Sequence, residues 1–523
     1  MAIACVSRVQ LVFSAKDLAD EDVLSKSDPF LILRDSATKR ELGRTEVIKD
    51  NLNPVWKTFI PVDYKFETKQ TFHVSLWDHD GGGNHDALGS FEFTMGKLMS
   101  TRGSTLTLPV VNKRGSVTIV GLPQGQLKGS AQLQFRGRQL KNMDTFSKSD
   151  PFYYLDRILP NGQLQRLYQS EVIDDNLDPL WKSQPFIDIQ TICSGNLQAK
   201  VLRFTCFDED LTSNDYMGEF ECSLEELLAP NAEFRLVDPK KPKEFYGYIL
   251  LSQKNFVKEP DFLELLKAGL QLNIAFSVDF TGSNLEAKNP KSLHFYHPTQ
   301  PNQYIQSMLA VSEVVQEYDS DRQFPCFGFG AMLPGSKEAN HFFHLNLGPN
   351  PYISGMQAVI DTYVQTVQQI RFYGPTNFAP TIQNVSNGAR QAPGVYTILL
   401  IMTDGEITDM TDTIDAIVQA DDAPFSILIV GVGFADFSSM EQLDCDNGAL
   451  KASNGRVSRR DIVQFVPMRD FSNRPGPDLA AALLAEIPTQ VSKWAMMNPE
   501  AVKQFGAASA PPAVVTQSAN GSA

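Results

Sequence analysis

The sequence predicts a multidomain chain: two antiparallel β-sandwiches, followed by an α/β domain with a doubly wound, largely parallel sheet. Three observations lead there. A segment of the first half repeats, the repeats are built from short β-type runs, and beyond residue 268 such runs alternate with helical patterns.

The repeat is anchored by SKSDPF, at 25–30 and again at 147–152. The surroundings return as well. RTEVIKDNLNPVWKTF at 44–59 matches QSEVIDDNLDPLWKSQPF at 169–186, and LWDHDGGGNHDALGSF at 76–91 matches CFDEDLTSNDYMGEF at 206–220. Trp56 thereby maps to Trp181 and Asp78 to Asp208, in a repeat unit of roughly 120 residues. Within each unit, turn residues separate short runs (VQLVFSA, PFLIL, TFHVSLW, FEFTM; AQLQFRG, PFYYL, VLRFTCF, EFEC) and no long helical period intervenes. That is the pattern of an antiparallel sandwich. The stretch NKRGS at 112–116 reads as the joint, giving expected bounds of 1–112 and 113–252.

Composition narrows the function. A net charge of −15 argues against a nucleic-acid binder, which needs a standing positive field. The cysteines at 5, 193, 206, 222, 326 and 445 have no CxxC spacing and read as buried thiols of a reducing cytosol. The N-terminus alternates like a strand rather than a signal peptide. The longest apolar runs, at 396–402 and 425–434, fall short of the roughly 20 residues a membrane span requires. Membrane contact is therefore expected to be peripheral and conditional.

The repeats carry matched carboxylates. Asp22 and Asp28 share one loop of the first, and Asp78, Asp80 and Asp86 another; in the second, Asp144 and Asp150 match the former, Asp208, Asp210 and Asp215 the latter. Aspartate also favours turns, which would explain a single such loop. Four loops at matched positions suggest cation binding, and dense oxygen ligands in irregular loops suit Ca2+. The D-x-D segment is not an EF-hand, because Gly82 and Gly89 stand at its fifth and twelfth positions.

With SKSDPF, NLNPVW/NLDPLW and the D-x-D loops in place, both repeats resemble C2 domains, calcium-dependent membrane-docking sandwiches. The resemblance implies that these ten aspartates occupy calcium-ligand positions and that several Ca2+ ions bind. The interval Asp208 to Asp215 is one residue shorter than Asp78 to Asp86, which puts the strength of the second site in doubt. Val23, Leu24, Phe146 and Leu211 lie at loop tips suited to shallow membrane insertion, or to ordinary loop packing.

The third domain is expected over 268–497, after a linker at 253–267 holding the short helical run FLELLKAG. Strand LNIAFSVDF is followed by a helical pattern at 302–317, strand FPCFGFGA, helices near 354–371 and 376–389, strand TILLIM, a helix near 411–420 and strand FSILIVGVG. Ligands of such sheets bind at the carboxyl ends of the strands. There stand Asp279, Thr281 and Ser283 of DFTGSN and Asp404 of TDGE. Hydroxyls and carboxylates of this kind suit hydrated Mg2+ or Mn2+, and equally suit a helix cap and a turn. The pattern D-x-T-x-S-N with a later TDG resembles the metal-ion-dependent adhesion site of von Willebrand factor A domains, in which Thr376 of YGPTNFAP takes the place of the remote threonine. That resemblance implies a metal binding a partner's acidic residue.

Two C2-like repeats followed by an A-type domain resemble the copine family, as do VDFTGSN, QEYDSDRQFPCFGFGA, YGPTNFAP, VGVGFADF and RDIVQFVP. The resemblance implies a non-enzymatic, cytoplasmic calcium sensor that moves to the plasma membrane or other membranes when calcium rises. It would dock on anionic phospholipid and recruit partner proteins through the A domain. The alternative is an enzyme acting on lipid or protein, targeted by its C2 modules. Neither a Walker loop nor a dinucleotide fingerprint is present, and no nucleic acid or small-molecule substrate is indicated. His294, His297, His341 and His344 read as structural. The segment 498–523, small and polar toward its end, is expected to be a disordered tail.

Overall fold

The computed structural model describes residues 6–22, 25–80, 85–124, 129–159, 162–210, 213–297, 299–405, 407–444, 449–471 and 476–502. The expected tail beyond Val502 lies outside them, while Pro499–Val502 form a short helix.

The first repeat is a sandwich of two four-stranded antiparallel sheets. One is ordered Ile60–Lys65, Val6–Lys16, Ser116–Gln124, Thr105–Pro109; the other Glu41–Arg44, Pro29–Asp35, Thr71–Asp78, Asp86–Thr94. Alternation decides the packing: along Val6–Lys16, residues Val9, Leu11, Phe13 and Ala15 are buried while their neighbours are not. The expected boundary at 112 falls inside this sandwich. Ser116–Gln124 pairs with Val6–Lys16 from Lys16↔Ser116 to Arg8↔Gln124, so 112–116 is a turn between two strands of one sheet, not a joint.

The second repeat builds the same pair of sheets, ordered Ile187–Asp188, Gly129–Arg138, Tyr248–Lys258, Glu233–Arg235 and Leu164–Gln169, Pro151–Ile158, Leu202–Asp208, Asp215–Cys222. Its core packs Phe135, Tyr153, Trp181 and Phe204. The closing strand runs to Lys258 rather than 252. The stretch expected to be a linker is therefore divided between this strand and the helix Phe262–Ala268, whose Phe262, Leu263, Leu265 and Leu266 are buried.

By internal contacts the chain forms two compact units, residues 125–261 and residues 1–124 together with those from 262 onward. In the α/β domain of the latter, strands Gln323–Phe329, Gln271–Asp279, Val395–Thr403, Phe425–Gly431 and Val463–Pro467 lie side by side and parallel, and Phe343–His344 pairs antiparallel at one edge. Both sheet faces are covered. Ile398, Leu400 and Met402 enter one core cluster, and the intervening Leu399 and Ile401 enter another. Val278 pairs with Met402, so Asp279 and Asp404 leave adjacent strand ends at the same rim.

Candidate metal centres

Four of the six residues of SKSDPF, the two serines, the aspartate and the proline, have a local task repeated in both sandwiches. The Oγ of Ser25 donates to the Asp22 carboxylate and that of Ser147 to Asp144, at 2.9 and 2.7 Å. The buried Ser27 takes the Glu21 N–H on its Oγ and donates its own N–H to Asp20; Ser149 does the same with Met143 and Asn142. The N–H of Asp28 donates to Asp78 at 2.6 Å, and that of Asp150 donates to Asp208. Carboxylates of Asp28 and Asp150 accept the N–H of Asp50 and Asp175, at 2.7 and 2.6 Å. The proline carbonyls, Pro29 and Pro151, accept the indole N–H of the buried Trp56 and Trp181. Trp fixes the Pro, and the Asp before it hangs one acidic loop on the other.

The second loop is delivered by the strand ends. Asp78 pairs with Asp86, and Asp208 pairs with Asp215. The missing residue of the second repeat thus falls between the two strands and leaves this register intact. A bulge after Leu76 and after Cys206 turns both hairpins at the same place, with Gly89 and Gly218 at φ +113° and +106°.

Electrostatics ties the second set together. Burial raises the Asp208 carboxyl, and the charges of Asp144 and Asp210 raise it further against donation from Ser149 and Asp150. Asp210 is raised by lost hydration, then by Asp215, Asp144 and Asp150. Asp208 is fully buried, with its Oδ2 lacking any hydrogen-bond partner. Like charges that raise one another around an orphaned buried oxygen suit a hard cation, and the all-oxygen donor set suits Ca2+. Asp22 and Asp80 border 23–24 and 81–84, which are outside the described residues, as are Val23, Leu24 and Leu211, and Asp86 follows 81–84 after His85. Phe146 is fully exposed. Among the described residues, no three His, Cys, Asp or Glu side chains are grouped closely enough to hold a metal as they stand.

The α/β rim gathers its predicted residues. The N–H of Thr281 donates to Asp279 Oδ1 at 2.8 Å, Thr281 Oγ1 lies 3.0 Å from Ser283 Oγ, and Ser283 Oγ donates to Asp404 Oδ1 at 2.9 Å. A Cβ built on Gly405 would stand 3.7 Å from Ser283 Oγ and 3.9 Å from Thr376 Oγ1, which brings Thr376 to the same rim. Thr376 is held there by its carbonyl, which accepts from the N–H and hydroxyl of Thr408. Burial raises the Asp279 carboxyl; burial and then the charge of Asp279 raise Asp404 to about 7. The hydrogen bonds that Thr281, Thr403, Ser283 and Asn284 make to these two acids all come from neutral donors. Two buried carboxylates among hydroxyls fit an octahedral cation with part of its water shell retained.

Several supporting residues escaped sequence reasoning. Thr403 donates to Asp279 Oδ2 at 2.5 Å, and Asn284 donates to Asp404 while accepting from the Tyr304 hydroxyl at 2.6 Å. The buried His294 stacks on Tyr304, with Nε2 2.8 Å from the Asp279 carbonyl; burial pushes its ring down to about 3 and keeps it neutral. Thr403 and Asn284 are sequence neighbours of Asp404 and Ser283, a signal that was available. Tyr304 gave none, and His294 reads from the sequence only as structural, with nothing to place it at the rim.

A family model described as Copine matches residues 292–503, and the C2 domain model matches residues 9–110 and 134–238. Among solved structures, the calcium-bound C2A and C2B domains of Extended-Synaptotagmin 2 are 18% identical, covering 49% of this chain and 99% of that one at a TM-score of 0.22. BON1-C2B is 24% identical over 25% of this chain and 93% of that one, with a TM-score of 0.22. Human GIVD cytosolic phospholipase A2 is 12% identical over 62% and 45%, with a TM-score of 0.20. At such values these likenesses carry no argument about function.

Proposed function

Because the chain belongs to the copine family, with two C2 domains ahead of a copine domain, we propose that calcium docks it on anionic phospholipid and that its α/β domain then receives a partner protein. The observation that carries the docking is the matched placement of carboxylates in the two repeats, with Asp208 and Asp210 raised by their acidic neighbours.

Without calcium, Asp22, Asp28, Asp78, Asp80 and Asp86, and their counterparts Asp144, Asp150, Asp208, Asp210 and Asp215, repel phosphate headgroups. Bound Ca2+ supplies neutralisation and open coordination positions for phosphate oxygens. The aspartates hold the loops in register and make attraction to an anionic leaflet conditional on calcium. Exposed Phe146 adds an apolar tip. Two sites in one chain raise avidity, since the second docks at high effective concentration. No described helix is long and apolar enough to cross a membrane, which accords with a reversible move from cytoplasm to membrane. At the α/β rim, Asp279, Thr281, Ser283, Thr376 and Asp404 would hold Mg2+ or Mn2+, which supplies a Lewis-acidic position for a partner's carboxylate.

Sedimentation with phosphatidylserine vesicles tests the docking. Binding is expected with Ca2+ and lost with chelator, and lost with Ca2+ when Asp28→Asn and Asp150→Asn are combined. Binding that persists in chelator or in the double variant refutes the switch. Turnover of lipid or protein abolished by Asp279→Ala would move the reading to an enzyme.

A further inference from the structure

Beside the rim of Asp279 and Asp404 lies a cleft of about 630 Å³. Its apolar wall includes Tyr296, Val364, Val367, Ile370 and Phe372, while Lys288 and Arg371 line it against one acid, Glu286. Cleft and rim are made from the same chain. The segment 279–288 passes from the rim into the cleft, and 370–376 passes from the cleft back to the rim. The two segments are tied: Gly282 N–H donates to the Tyr373 carbonyl at 2.8 Å, and Tyr373 N–H to the Phe280 carbonyl at 3.3 Å. His294 joins the sites from within, its Nε2 against the Asp279 carbonyl and its Nδ1 2.7 Å from the hydroxyl of the cleft-lining Tyr363.

Apolar residues are exposed in the lining, at Tyr296, and next to it in the chain, at Leu285 beside Glu286 and Tyr373 beside Phe372. Leu285, Tyr296 and Tyr373 are 43%, 49% and 54% exposed. Leu285 follows rim residue Asn284 and is held at φ 62°, ψ 154°, a conformation in which a leucine is strained. Clustered exposed apolar groups around a polar centre mark an interaction surface.

We infer that the α/β domain recognises a bipartite peptide of a partner protein: an acidic side chain at the rim and, beside it, an aromatic or large aliphatic side chain in the cleft. Lys288 and Arg371 favour further acidic residues around that anchor, by charge complementarity. Shared walls favour one chain carrying both groups over a free anion or a lipid tail, which would use only half of the surface. The inference rests on the rim being a partner-carboxylate site.

The test uses the full-length chain in Mg2+ and short fluorescein-labelled Gly/Ser peptides. One set carries a single Glu; the other adds a Phe at varied distances on either side. Anisotropy should show the best Glu/Phe peptide binding roughly tenfold or more tighter than Glu alone. That advantage should vanish in Val364→Thr and shrink in Arg371→Glu, with affinity for the Glu-only peptide kept in Val364→Thr. Equal binding of the two sets overturns the cleft and leaves the rim reading standing. A Phe advantage that persists in chelator and in Asp404→Ala overturns the rim reading and, with it, the bipartite form. Binding of neither set, or cleft variants that change vesicle binding instead, overturns the inference outright.

Discussion

The Tyr64 hydroxyl lies 2.5 Å from that of Tyr318, joining a strand of the first C2 sandwich to the turn after helix Gln303–Val315 of the α/β domain. Both rings are buried, and Phe66 packs edge-on against Phe262 and tilted against Tyr318, with centroids at 4.9 and 5.0 Å. Thr94 donates to Glu317 at 2.7 Å along the same seam. Sandwich and α/β domain thus share one apolar core. Tyr64→Phe leaves the buried Tyr318 hydroxyl without this bond and should cost about 1–3 kcal/mol; Phe66→Ala should cost about 3–5 kcal/mol. Hydrogen exchange should show protection falling in both parts together. Protection lost from the sandwich alone would mean that the seam does not couple them.

Next to Tyr318, burial and then the charge of Asp321 raise the Asp319 carboxyl to about 7. The folded state therefore keeps a proton that the unfolded chain releases near pH 4. Between about pH 4 and about pH 7 the unfolded state binds fewer protons, so this group's contribution to stability falls as pH rises, by at most about 1.4 kcal/mol per unit. Asp319→Asn should flatten that slope. Denaturant midpoints at mildly acidic and neutral pH would check it, and an unchanged slope would reject the assignment.

Legibility differed by the kind of signal. The aspartate register could be read because SKSDPF and the runs RTEVIKDNLNPVWK and QSEVIDDNLDPLWK each align internally without gaps, which anchors the positions between them. The end of the first sandwich was misplaced because NKRGS has joint-like composition. The corrective signal was internal: the second repeat closes on YILLSQKNFVK, so the first needs an equivalent strand, and SVTIVGLPQ is that strand. Asp279 and Asp404 were legible because both end apolar strands. Tyr304 and His294 were not, since their places are set by tertiary packing rather than by local pattern.

Gly89 and Gly218 hold the bulges that present Asp86 and Asp215. An alanine Cβ at 89 would press on Val110 and come within 3.1 Å of the Val111 carbonyl; at 218 it would stand 3.0 Å from Val237 N. Each also sits at positive φ, where a side chain is strained. Gly89→Ala and Gly218→Ala should each destabilise by about 1–3 kcal/mol and weaken calcium binding in their own repeat only. Calorimetric calcium titration of the two variants would resolve this, and wild-type titration curves would show that the bulge does not position the carboxylates.

The two rim acids of the α/β domain lead to a prediction of opposite sign. Asp279 and Asp404 are buried close enough for the charge of one to raise the other, and the groups that donate to them from Thr281, Thr403, Ser283 and Asn284 are all neutral. Removing one charge relieves the repulsion. Asp404→Asn retains an oxygen to accept from Ser283 and Asn284, so in chelator its thermal midpoint should equal or exceed that of the parent. Mg2+ or Mn2+ should raise the parent's midpoint, contributing about 2.7 kcal/mol at a hundredfold excess over the dissociation constant. The same ion should leave Asp404→Asn unmoved. Thermal scans with and without metal make the comparison. A metal-dependent rise that survives the substitution would place the ion elsewhere, whereas a variant that melts well below the parent in chelator would show the pair to be structural.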